Sequence, residues 1–156
     1  MTVSDQIYLS TRLTPREVAG RIAKALELEL YDDEHGVQVI WREKEGDPWF
    51  GGDVDLNGSF IHQPEDHTAD QDSVMDGYDI EWDVGSSSRD EALVHRIARE
   101  WFDKVAARLP WPALLVEDLQ RLTAASRPGE GVVEFPQSTS PDAPSREVWR
   151  PYALPR

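Results

Sequence analysis

Residues 62–83, HQPEDHTADQDSVMDGYDIEWD, hold eight carboxylates and two histidines with no lysine or arginine among them. Side chains of these types can do several kinds of chemistry. His62, Glu65 and His67 come within one residue of an HxxEH spacing, which on a helix gathers zinc ligands onto one face, but Pro64 opposes a helix there. Asp70, Asp72 and Asp76 offer oxygen ligands to calcium, without the glycine and terminal glutamate that an EF-hand loop needs at fixed spacing. Two carboxylates can also serve as the acid and base of glycoside hydrolysis. Acids are so frequent here that a close pair means little. The remaining use is the charge itself. An anionic surface speeds association with a cationic protein and can compete with phosphate for that protein's groove. The bland alternative is a solvated loop and strand face.

The concentration of charge favours attention to that last use. From Glu45 to Ser88 there are twelve acids and no Lys or Arg, within a chain of formal net charge −14. Such a balance argues against direct nucleic-acid binding, which needs clustered bases to displace counterions from phosphates. No cysteine is present, which excludes disulfides, thiol catalysis and Cys-ligated zinc. GxSxG, P-loop, GxGxxG and HExxH patterns are absent as well. His35 reads as a turn residue, and His95 as a histidine flanking the apolar face of a helix. No apolar run approaches the ~20 residues of a membrane span. The expectation is a cytoplasmic protein with no membrane association, no catalytic residue, no metal and no cofactor.

The elements that position the acids follow from periodicity. IYLSTRL (7–13) alternates as a first strand. Thr14-Pro15-Arg16-Glu17 is a capping box with proline at the first helical position, and Val18, Ile22, Ala25 and Leu26 give an apolar stripe for a helix over 15–27. LELYDDEHG suits an edge strand and turn. GVQVIWREK and FGGDVDLNGSF read as a hairpin, placing Asp53 and Asp55 opposite in facing to Val54 and Leu56 and bringing Arg42 and Lys44 near Asp53. Residues 62–76 read as a surface loop. Tyr78, Ile80, Trp82 and Val84 point one way along the next strand, and Asp79, Glu81 and Asp83 form an acidic row on the other side. Ser88 and Glu91 make a second capping box for a helix over 89–109, ended by Pro110. Residues 112–125 suit a strand followed by a turn or short helix. Six prolines after Arg127 mark a tail, in which GVVEF could add an edge strand and Trp149, Tyr152 and Leu154 are groups able to dock. The expected fold is α+β: an antiparallel sheet of about five strands with two amphipathic helices on one face, forming a single domain over 1–126, with a Pro-rich tail over 127–156.

Leu13-Thr14-Pro15-Arg16-Glu17-Val18, Asp79 to Gly85 and Ala113 to Asp118, in this order of elements, resemble the small immunity proteins of bacterial polymorphic toxin systems, in particular the Sit-type contact-dependent immunity proteins. The likeness covers residues 7 to about 125, and its motifs are structural. It implies a cytoplasmic protein that neutralises a toxin without catalysis. Together with the charge, this predicts a non-enzymatic acidic binding protein of the immunity or antitoxin type. Its partner would be a basic toxin or nuclease, met by Asp53, Asp55, Glu65, Asp66, Asp79, Glu81 and Asp83 with Trp49 as an apolar anchor. The alternatives are a phage or mobile-element DNA mimic and a small metal-dependent hydrolase.

Overall fold

The computed structural model describes residues 3–61 and 73–155. His62, Glu65, Asp66, His67, Asp70 and Asp72 lie outside the described residues, and with them the HxxEH-like and calcium readings.

The protein is α+β, built on a single antiparallel sheet. The sheet has eight strands rather than about five: β1 (Asp5–Leu9), β2 (Glu29–Asp33), β3 (Gly36–Trp41), β4 (Phe50–Leu56), β5 (Ile80–Ser86), β6 (Ala113–Glu117), β7 (Arg121–Arg127) and β8 (Gly131–Glu134). Their spatial order is β2-β3-β4-β5-β1-β6-β7-β8, so the first strand lies between two meanders. The added strands come from segments without clean alternation. β7, LTAAS at its centre, is buried on both faces and so lacks the polar–apolar period that marks a half-buried strand. Leu115, Leu119 and Leu122, spaced as on a helix, fall instead on two strands and the turn between them.

Helix α1 (Pro15–Leu26) starts as its sequence dictates: Thr14 accepts from the Glu17 N–H and the Glu17 carboxylate accepts from the Thr14 N–H. A short helix α2 (Gly58–Ile61) follows β4, and α3 (Glu91–Arg108) follows β5. Its cap is Asp90, which accepts from the Leu93 N–H, and not Ser88. Val18 and Ile22 of α1 and Ala98, Trp101 and Phe102 of α3 share one buried cluster with Ile7, Leu9, Val39, Val54, Trp82 and Leu115 of the sheet. Trp82 and Trp101 stack with centroids 5.2 Å apart and planes 1° from parallel. Such pairs add about 0.5–1.5 kcal/mol to the area they bury.

The opposite face of the sheet is divided. Over β1, β6 and β7 it is dry: Tyr8, Leu114, Val116, Leu122 and Ala125 form a second core with Val74 and Tyr78, Phe135 and Trp149. Tyr78 therefore does not point with Ile80, Trp82 and Val84 but belongs to this other core, its hydroxyl donating to the Tyr152 carbonyl at 2.8 Å. Trp149, in helix α4 (Arg146–Trp149), is fully buried and donates through Nε1 to the Asp142 carbonyl. The chain passes so close at Gly77 that a Cβ there would overlap the Leu154 carbonyl oxygen. Residues 131–155 thus supply both a strand and a core layer. The remaining half of that face, over β4 and β5, carries the acids.

Candidate functional site

Strand alternation sends Val54, Trp82 and Val84 toward the helices and leaves Asp53, Asp55, Glu81 and Asp83 on the other face. These four carboxylates converge. With Ser4, Gln6, Leu56 and Leu119 they line a shallow cleft of about 360 Å³. Asp55 is directly opposite Glu81 in the β4–β5 ladder, the position where like charges destabilise a sheet. β4 comes close to its neighbour on the other side because residue 51 is glycine: its φ is +120°, and a Cβ there would overlap the Val39 carbonyl oxygen.

Among the described residues no basic side chain pairs with any of the four. Their contacts are neutral: Gln38 Nε2 donates to Asp53 at 2.9 Å, Gln6 Nε2 to Asp83 at 3.1 Å, and the Leu56 N–H to Asp55 at 2.7 Å. Arg42, expected near Asp53, reaches Glu29 at 3.9 Å instead. Partial burial, then the charges of Asp83 and Asp55, push the Glu81 carboxyl above the usual glutamate range. Tyr8, paired with Glu81 across β1–β5 and fully buried, has its phenol pushed up by burial and by the charges of Glu81 and Asp83.

Asp79 does not stand in the acidic row. It is buried, and its two oxygens accept from the Thr11 N–H at 2.8 Å and the Arg12 N–H at 2.7 Å. Those bonds hold the β1–α1 connection, where Arg12 has φ +61° and its guanidinium lies 4.8 Å over the Phe60 ring. Asp79 precedes β5 rather than belonging to it, a boundary that the alternation of the sequence does not mark. Trp49 is 39% exposed, its backbone tied to Ser86 and Ser87, and it is not among the residues lining the acidic cleft. The apolar groups that do line it are Leu56, 42% exposed, and Leu119, 54% exposed.

Leu119 is held out by an unusual turn. Asp118 and Leu119 both have positive φ, +50° and +60°, a conformation in which Leu costs about 1–2 kcal/mol relative to an ordinary backbone. The turn is clamped from two adjacent residues of β1: the Asp118 N–H donates to Asp5 Oδ1 and the Leu119 N–H to Gln6 Oε1.

Asp5 belongs to a second group that sequence reading missed. On the helix side of the sheet Asp5 is opposite Glu117 in the β1–β6 ladder, and His95 of α3 brings Nδ1 to 2.7 Å from Asp5 Oδ2. Burial pushes the Asp5 carboxyl up despite its bond to His95. Burial opposes the charged form of His95, but the hydrogen bond and charge of Asp5 outweigh it and hold the imidazole above its ordinary value. Residues 5, 95 and 117 share no local spacing, so only the fold brings them together.

No helix among the described residues is long and apolar enough to cross a membrane. No protein family, curated protein or solved structure matches this chain.

Proposed function

We propose that the protein is a non-enzymatic binding protein of the immunity or antitoxin type, holding a basic protein partner on the acidic half of its open sheet face. The observation that carries this reading is the cleft of Asp53, Asp55, Glu81 and Asp83, four converging carboxylates with no basic partner among the described residues. Folding gains nothing from that arrangement, since Asp55 opposite Glu81 is repulsive and Glu81 is partly desolvated. A Lys or Arg from a partner would relieve the repulsion, its aliphatic stem lying against Leu56 and Leu119 while the charged head meets the carboxylates. The rigid ladder fixes the acids in advance of binding, which limits the entropy lost on association. Their convergence on one cleft suits a single basic protrusion better than the extended row of acids that mimicry of a DNA backbone requires.

The test is titration of the full chain with purified basic toxin and nuclease domains at low and moderate salt. The triple variant Asp55→Asn, Glu81→Gln, Asp83→Asn is the control. The expected result is salt-sensitive binding that weakens by at least about tenfold in the variant, through faster dissociation and slower capture. Unchanged affinity in the variant would remove the proposal.

A further inference from the structure

The group formed by Asp5, His95 and Glu117 has the composition and spacing of a cation site. One ligand atom from each residue lies within 4.8 Å of the others. The Asp5 carboxylate is fully buried, with one oxygen on the Asp118 N–H at 3.2 Å and the other on His95 Nδ1. Glu117 gives Oε2 to Arg121 at 3.1 Å, while Oε1 takes no hydrogen bond among the described residues. The His95 and Glu117 side chains are 33% and 24% exposed, so two of the three ligands meet solvent.

We propose that these three residues bind one divalent cation of the zinc type, through His95 Nδ1, an Asp5 oxygen and Glu117 Oε1, with water in the fourth position. Zinc takes imidazole nitrogen and carboxylate oxygen at about 2.0–2.2 Å, which sets ligand atoms roughly 3.3–3.5 Å apart on the edges of a tetrahedron. The 2.7 Å between His95 and Asp5 has to open by roughly 0.6–0.8 Å, a movement within reach of a rotation of the partly exposed imidazole. One nitrogen and two oxygens select a borderline ion over magnesium or calcium, which prefer oxygen alone. Neighbouring groups support the arrangement from outside: the Asp118 backbone N–H orients Asp5, and the Arg121 guanidinium orients Glu117. An ion here would join β1, β6 and α3, three elements far apart in the chain. The site lies on the helix side of the sheet and touches the acidic cleft of the other face only through the Asp118–Leu119 turn, whose Asp118 N–H Asp5 accepts.

Metal-stripped full chain is titrated with zinc chloride, with magnesium and calcium chloride as comparisons. Binding is followed by calorimetry and thermal denaturation, and cobalt(II) substitutes for zinc so that visible absorption reports the ligands. His95→Gln and Glu117→Gln are the test variants, the second altering a group at the rim so that folding is retained. A variant with His35, His62 and His67 all changed to Gln controls for the other histidines. The expected result is one zinc per chain and a Tm rise of roughly 5–10 °C with zinc at about 100 times its Kd. Cobalt absorption should appear in the wild type and the histidine control, with zinc affinity at least about tenfold weaker in each test variant. Absence of zinc binding at about 0.1 mM, or affinity within about tenfold of wild type in either test variant, overturns the site.

Discussion

Glu81 has Asp55 opposite on one neighbouring strand and Tyr8 on the other, with Asp83 next on its own face. Its carboxyl is raised above the ordinary range, so the folded state keeps this proton to a higher pH than the unfolded chain does. The sign follows: where the folded state binds more protons, stability falls as pH rises through the window between the ordinary glutamate value and the raised one. Glu81→Gln should therefore stabilise the protein at pH 7, by about 0.5–1 kcal/mol, and the gain should vanish near pH 4. Urea denaturation of both proteins at the two pH values checks it; a variant no more stable at pH 7 would show that solvent already screens the charge. Affinity for a basic partner should run the other way, weakening as pH falls and Glu81 is protonated.

At the scale of elements, the turn between β6 and β7 holds the clearest conflict. Asp118 and Leu119 adopt positive φ without being glycine, and Leu119 stands exposed at the cleft. Leu119 is 54% exposed, so Leu119→Gly gives up little packing while it relieves the strained φ; it should raise stability by about 0.5–1 kcal/mol in thermal denaturation while weakening binding of the proposed basic partner. Equal stability would mean that the clamp from Asp5 and Gln6 already removes the strain. Nothing local in VEDLQR announces such a turn, which lacks the Asn-Gly signature of its type. What the chain did announce was alternation: Val37 and Val39, Val54, and Ile80, Trp82 and Val84 all face the helices as their spacing requires. The capping box at Thr14 is likewise a local device, readable because all its partners lie within three residues. Asp79 escaped because a buried carboxylate and an exposed one look alike until the Thr11 and Arg12 N–H groups, 68 and 67 residues away, are placed beside it. Asp5 and His95, 90 residues apart, escaped for the same reason.

At the scale of the whole molecule, the second core rests on residues that composition marks as a tail. Trp149 belongs to the buried cluster that includes Tyr8, Tyr78 and Leu114, and its Nε1 donates to the Asp142 carbonyl. Trp149→Ala should cost about 3–5 kcal/mol, the range for emptying a large buried aromatic site. Chemical denaturation would measure it, and a loss below about 1 kcal/mol would show that the layer is a loose cover.

The placement of β1 has a kinetic consequence. β2 to β5 and β6 to β8 are two runs whose strands pair with sequence neighbours, but β1 finds its partners only in β5 and β6, beginning more than 70 residues downstream. Chain closure of that length must be met before its ladder returns any energy, so folding should take milliseconds to seconds, with the two runs assembling ahead of the strand that joins them. Ile7→Val, at the centre of β1, should then quicken unfolding while leaving the refolding rate nearly untouched. A stopped-flow chevron in which the refolding arm slows instead would mean that the first strand made is also the first to seed the sheet.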